Sequence, residues 1–320
     1  MIEILKVGDM SFTPFTNKED IKFLKEKGIR VIDNLDCDLF VASKTYALSR
    51  IRYRFGSKKK YLVWTSEPRK EPNFKNKIDG LFWIPEIHIM NAYTGDIYLN
   101  NYTFPFTDDF FKTYWETDEL ELLNEDNFPN FKHKKVAALM VYRNDQKKWS
   151  LKRQGRELDL CYLRTQIVLE GHKLNQVDVY GQDWPKGISI ENSRGGDWQN
   201  SKAKIMPNYH FNLCIENTNS DYYCSEKIWD SIRYGCLPIY YGEGNKIYEY
   251  FPKNSFLDYC DFNSPEKLFK YIDAMDVQEF RERMNLCIGV FNQVREKVKL
   301  SNPDQNMLLK IVQKIESITI

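Results

Sequence analysis

Residues 211–229 hold a dense group of side chains able to handle a phosphorylated sugar. An apolar run, Phe211 to Ile215, ends at Glu216-Asn217; a polar stretch follows, and Tyr222-Tyr223-Cys224 leads into Ser225-Glu226-Lys227, where a helical pattern opens. The first turn of a helix carries unpaired backbone N–H groups and the positive end of the helix dipole, which together favour a phosphate. Lys227 adds a full positive charge in that turn. Glu226 can accept hydrogen bonds from two neighbouring hydroxyls of a ribose or hexose. Tyr223 can offer a ring face or a hydroxyl. The same residues also suit an ordinary capped surface helix with a solvated Glu-Lys pair.

A scaffold of alternating strands and helices is needed to hold them. In the first half, strands are expected at 2–7, 29–32, 38–42 and 61–64, with helices at 17–27 and 45–55 closed by Gly28 and Gly56. The strand at 61–64 runs into Thr65-Ser66-Glu67-Pro68, where Pro68 stops any ladder. That leaves Glu67 at a strand's carboxyl end, with Glu71 as a close competitor. The pattern loosens between 104 and 135, and a new set follows: strands at 136–142, 177–180, 209–215, 237–241 and 255–262, helices at 158–174 and 225–234. Residues 187–200 read as a loop around Arg194-Gly195-Gly196-Asp197, which suits a flexible turn better than a phosphate contact. Ser264-Pro265-Glu266 caps a further helix, and the tail is helical with a break at Asn302-Pro303. Two successive βαβ sets imply an α/β protein of two Rossmann-like domains facing a cleft, 1–135 and 136–320, the last helices able to pack back on the first domain. Ligands in such sheets sit at the carboxyl ends of the strands.

Bulk composition narrows the function. The 320 residues carry 46 Lys+Arg against 45 Asp+Glu, so no field attracts nucleic acid. Aromatic residues reach 15%, enough both to fill cores and to stack on sugar faces. The opening MIEILKVGDM lacks the pattern of a signal peptide, and no apolar run approaches the roughly 20 residues of a membrane span. Seven scattered cysteines without a CxxC pair fit free thiols, so the cytoplasm is the expected compartment. No metal site is expected. His88, His133, His172 and His210 are dispersed, and Asp36-Cys37-Asp38 lies early, in a strand.

The string from Phe211 to Gly242 resembles the donor-binding motif of the α1,3/α1,4-fucosyltransferases, glycosyltransferase family 10. The matching residues are Phe211, Leu213, Glu216, Asn217, Tyr223, Glu226, Lys227, Gly235, Pro238 and Gly242, with Ile215 where the family has Phe and Ser225 where it has Thr. Arg164, ahead of Val177-Asp178-Val179-Tyr180-Gly181, is similar to the family's Arg-helix-Val-Asp-x-Tyr-Gly segment, about two residues longer, so Arg156 and Arg153 stay open. Thr65-Ser66-Glu67-Pro68 is similar to its acidic catalytic segment. The resemblance covers residues 136–273 and is thinner before them. It implies a GT-B type fold and an inverting transfer of L-fucose from GDP-fucose to a glycan hydroxyl, on GlcNAc or Glc in α1,3 or α1,4 linkage. Glu67 would then be the base. Arg164, Lys227 and the helix start at Ser225 would neutralise the departing GDP without a metal; Glu226 and Asn217 would hold sugar hydroxyls, and Tyr223 would border the nucleotide. The implied partners are the donor and a glycan acceptor, with at most weak peripheral contact with a membrane. The tail lacks the family's aromatic ending. Rival readings are a transferase for GDP-mannose or a UDP-sugar, and a catalytically silent carbohydrate-binding protein.

Overall fold

The computed structural model describes residues 1–11, 13–94, 117–193, 198–300 and 303–319. Arg194-Gly195-Gly196-Asp197, Asn302 and residues 104–116 of the loosened stretch lie outside them. The chain divides into two compact units: Met1–Thr117 with Ser220–Tyr223 and Glu296–Ile320, and Asp118–Asn219 with Cys224–Arg295.

The first unit is built on β1 (Ile2–Val7), β2 (Ile29–Ile32), β3 (Leu39–Ala42), β4 (Lys60–Thr65), β5 (Lys77–Ile78) and β6 (Ile87–Asn91), with helices α1 (Lys18–Glu26) and α2 (Thr45–Phe55). Strand order is β2-β1-β3-β4-β6-β5, parallel except for the β5–β6 pair. Alternation along the strands feeds two cores. Leu39, Val41, Leu62 and Trp64 face one of them, together with Leu308, Ile311, Val312 and Ile315 of the C-terminal helix. Phe40, Ala42, Tyr61 and Val63 face the other, under Leu48 of α2. A strand buried on both faces needs this nearly continuous apolar run. The helix residues at i, i+3, i+4 and i+7 form a single apolar stripe.

The second unit holds β7 (Val136–Leu139), the hairpin β8 (Lys152–Arg153) and β9 (Arg156–Glu157), α3 (Cys161–Lys173), β10 (Val177–Tyr180), β11 (Ser189–Glu191), α4 (Trp198–Ile205), β12 (Phe211–Leu213), α5 (Glu226–Arg233), β13 (Leu237–Tyr240), β14 (Leu257–Asp258), α6 (Pro265–Ala274) and α7 (Val277–Leu300), the last running on into the first unit. Its main sheet runs β11-β10-β7-β12-β13-β14, all parallel. Residues 118–135 are tied to α7 by reciprocal side-chain bonds. Asn292 accepts from Leu120 N and donates to Leu120 O, both at 2.9 Å, and Asn285 does the same for Leu123 at 2.7 and 2.9 Å. The C-terminal helix α8 (Pro303–Thr319) belongs to the first unit.

Two local expectations change. The strand expected over 255–262 is only two residues long, because the Asp258 carboxylate accepts from Cys260 N at 3.0 Å and turns the chain into a 3-10 helix. The loop expected over 187–200 contains edge strand β11 and the start of α4. Three residues are too few to display an alternation.

Candidate functional site

In both units the strand order reverses beside the first strand, and crevices open at such points. In the first unit the reversal lies between β1 and β3. Gly8, at φ +73°, ends β1 in a left-handed turn, and a cavity of about 440 Å³ opens there. Its lining includes Asp9 after β1, Ser43 and Lys44 after β3, and Thr65, Ser66 and Glu67 at the end of β4. Buried β4 leads the chain to this edge, and Pro68 then turns it into a short 3-10 helix. The Glu67 backbone is pinned by its own N–H on Thr65 Oγ1 at 3.3 Å and by Asn91 Nδ2 on its carbonyl at 3.3 Å. Its carboxylate is half-buried and accepts a hydrogen bond from the Tyr223 hydroxyl at 2.9 Å.

Glu71 is placed differently. It is 1% exposed, and its carboxylate receives the backbone N–H of Thr45 at 2.9 Å, the Thr45 hydroxyl, and both N–H groups of Asn73. It caps the start of α2. Asp9, a residue not singled out from the sequence, lies exposed at the cavity. Hydrogen bonds from the Ser11 hydroxyl (2.6 Å) and N–H (2.9 Å) hold its carboxyl below the usual range. Only its position after β1 could have pointed to it.

In the second unit the reversal lies between β7 and β12. β12 ends just ahead of Glu216, which is 3% exposed. The Glu216 carboxylate accepts from Ser225 N at 2.6 Å, from Ser225 Oγ at 2.7 and 2.8 Å, and from Lys227 Nζ at 2.6 Å. The N-terminus of α5 is thus capped by an acid nine residues upstream, and Ser225 Oγ bonds to that acid instead of a helix N–H. Lys227 Nζ also donates to Ser225 Oγ at 2.6 Å, so two of its three N–H bonds are used. Arg164, 4% exposed on α3, donates from Nη1 to Ile215 O at 3.1 Å. Arg164, Glu226, Lys227, Lys202 and Asp230 border one cavity of about 30 Å³, beside Leu139 and Met140 at the end of β7.

Lys202 on α4 was missed, since its sequence neighbourhood shows no motif. Nζ lies 3.2 Å from Glu226 Oε1 and 2.5 Å from Asp230 Oδ2. Burial pushes the Glu226 carboxyl up, but Lys202 and Lys227 outweigh it and bring it down to about 2. Burial likewise lowers the Lys202 ammonium, and Asp230 and Glu226 more than reverse this. Glu226 is therefore an anion held by a lysine.

Asn217 is half-buried; its carbonyl accepts Leu160 N at 2.9 Å, tying the β12–α5 loop to the start of α3. Tyr223 is 4% exposed and belongs to the first unit, where its hydroxyl meets Glu67. Arg153 and Arg156 are exposed on the β8–β9 hairpin. An open hollow of about 530 Å³ follows β7, lined by Tyr142, Arg143, Asn144, Asp145, Trp149 and Asp183 among others, with the Arg143 guanidinium 4.3 Å from the Trp149 ring centre. Among the described residues, no group of three or more His, Cys, Asp or Glu could hold a metal ion.

Known proteins are similar to parts of this chain. The model of the C-terminal domain of glycosyltransferase family 10 (fucosyltransferase) matches residues 142–284. GDP-fucose protein O-fucosyltransferase 3 of Bos taurus is 32% identical over 110 residues, 33% of this chain and 23% of that protein. The alpha-(1,3)-fucosyltransferase FucT of Helicobacter pylori is 36% identical over 86 residues, 27% of this chain and 18% of that protein. The 3-galactosyl-N-acetylglucosaminide 4-alpha-L-fucosyltransferase FUT3 of Pan troglodytes is 29% identical over 130 residues, 39% of this chain and 31% of that protein. The chain thus spans less than a third of the length of each of these relatives. A solved alpha1,3-fucosyltransferase with GDP aligns over 99% of this chain and 90% of its own, at 18% identity and a TM-score of 0.48. The Glu216–Ser225–Lys227 cap lies inside the matched stretch, so it is through residues 142–284 that the chain is similar to glycosyltransferase family 10, the fucosyltransferases.

Proposed function

We propose that this protein is an inverting fucosyltransferase that moves L-fucose from GDP-fucose to a hydroxyl of a glycan acceptor, GlcNAc or Glc, in α1,3 or α1,4 linkage. The observation that carries the reading is the basic cluster at the α5 N-terminus, Lys227 and Arg164 beside the end of β12, inside a fucosyltransferase-family domain. The diphosphate is taken by the third N–H of Lys227, by Arg164 and by the α5 dipole, which stabilise the charge that grows on GDP as the glycosidic bond breaks. The nucleoside lies in the hollow of Tyr142, Arg143 and Trp149, where a guanidinium and a ring face suit a flat base. In the first unit, Glu67 takes the acceptor's proton as its oxygen attacks the anomeric carbon. A single displacement inverts that carbon.

The names of several relatives support a second acceptor class, a protein hydroxyl, because those relatives are protein O-fucosyltransferases. The seven cysteines form no disulfide, which supports the cytoplasm as the compartment. The test is GDP release from GDP-fucose, GDP-mannose and UDP-sugars against N-acetylglucosamine glycans and Ser/Thr peptides. Release confined to GDP-fucose supports the donor assignment, and the acceptor that drives it decides between the classes. Turnover with a UDP-sugar alone would overturn the reading.

A further inference from the structure

Between residues 39 and 66 the chain has seven lysines and arginines and no acid. Six of them, Arg50, Arg52, Arg54, Lys58, Lys59 and Lys60, run from the second half of α2 to the first residue of β4. Arg50, Arg54, Lys58 and Lys60 are exposed, as is Tyr53 among them.

A tight turn packs on this segment. Leu81 and Ile84 exchange backbone hydrogen bonds at 2.9 and 2.8 Å, and buried Ile84 anchors them. The tip presents Leu81, Phe82 and Trp83 at 63%, 91% and 69% exposure. Arg52 Nη1 donates to Pro85 O at 3.3 Å, and a side chain placed at Gly56 would touch the Trp83 carbonyl, so tip and basic segment adjoin in one surface. A two-residue turn ordinarily takes Gly, Asn or Asp. Here Phe82 adopts φ +51°, a conformation unfavourable for a bulky residue. Three consecutive large apolar side chains in water, on a turn their own propensities oppose, mark a contact surface.

Nearby acids do not cancel the charge. Glu86 is taken by Lys77 at 2.7 Å and by His88 at 2.9 Å, and exposed Asp36 meets Lys59 at 3.8 Å; Asp79 precedes the tip. The surface lies at the amino ends of β4 and β6, whereas Glu67 and its cavity lie at the carboxyl end of β4. No described helix is long and apolar enough to cross a membrane.

We propose that this end of the first unit docks on an anionic lipid bilayer. Leu81, Phe82 and Trp83 enter the headgroup layer, as amphipathic and apolar rings do at membrane interfaces, and the flanking cations contact lipid phosphates. Charge complementarity selects the occupant: an apolar tip alone suits any greasy partner, but a rim of four exposed cations suits a surface that is both negative and able to admit aromatic rings. Docked this way, the Glu67 cavity sits at the end of the sheet away from the bilayer.

The test is co-sedimentation of the full chain with phosphatidylcholine vesicles, with and without phosphatidylglycerol. The expected result is binding to the mixed vesicles, weakened at least ~10-fold by high salt. It should be lost in Phe82→Ser with Trp83→Ser and, separately, in Arg50→Gln with Arg54→Gln and Lys58→Gln. All five residues are exposed, so thermal midpoints should stay unchanged and a loss of binding cannot be a loss of fold. No binding to mixed vesicles, binding that survives either set of substitutions, or capture of nucleic acid in place of vesicles would overturn the proposal.

Discussion

The Tyr223 hydroxyl donates a 2.9 Å hydrogen bond to Oε2 of Glu67, joining residues 156 apart in sequence. Both belong to the same unit, and Tyr223 stands only two residues before Ser225, where the helix of the basic cluster begins. Tyr223, expected to border a nucleotide, thus also bonds through its hydroxyl to the carboxylate at the end of β4. Glu67→Gln is expected to lower turnover by ~10²–10⁴ while leaving GDP affinity unchanged. Tyr223→Phe keeps Glu67, the proposed base, and removes its bond from the Tyr223 hydroxyl, so kcat should fall about tenfold. Initial-rate kinetics beside GDP titrations check both.

Glu71 provides the control. Its carboxylate is filled by donors from Thr45 and Asn73. Glu71→Gln should cost about 1–2 kcal/mol of stability through the lost cap of α2, with kcat within a few-fold of wild type below the melting range. A loss of kcat matching that of Glu67→Gln, in folded protein, would transfer the base role to Glu71.

A double substitution separates the Lys227–Glu216 ion pair from the GDP contact proposed for Lys227. Lys227→Ala leaves the buried Glu216 without its cation and should cost about 3 kcal/mol, along with GDP affinity. Adding Glu216→Gln should restore much of the stability and none of the GDP affinity. Denaturant melts and GDP titrations on the two variants are the readouts.

Acid should act on the second unit in two windows. His210 is pushed down to about 4 by burial first, then by His133 and Lys132, from an ordinary 6.5. Its stability contribution is present above pH 6.5 and is lost as pH falls through about 4. Glu226, at about 2 against an ordinary 4.5, contributes stability present above pH 4.5 and lost as pH falls through about 2. His210→Phe should flatten the upper window in melting curves taken across pH. Lys202→Met should lose most of the lower one, because Glu226 and Asp230 then face each other without their shared cation.

Much of the fold was legible because the strands bury both faces. Runs such as Leu39 to Ala42 and Tyr61 to Trp64 can only be strands at their length, and Gly28, Gly56 and Gly235 punctuate the helices between them. The short edge strands were not, since β11 has three residues and its polar face offers no alternation. Among the candidate site residues, Glu226 and Lys227 stood out at a helix start, while Glu67 and Arg164 were singled out chiefly by the family resemblance. What holds them could not be read in the same way. Lys202 reaches Glu226 from a separate helix, and Tyr223 reaches Glu67 across most of half the chain; such pairings are made by tertiary packing, which leaves no local pattern.

The central claim, transfer of fucose with Glu67 as the base, is tested most directly by GDP release from GDP-fucose with an acceptor panel, wild type beside Glu67→Gln. The account predicts acceptor-dependent release by the wild type and a loss of ~10²-fold or more in the variant, with GDP binding preserved in both. Equal release by the two proteins, or none by a wild type that binds GDP, would contradict it.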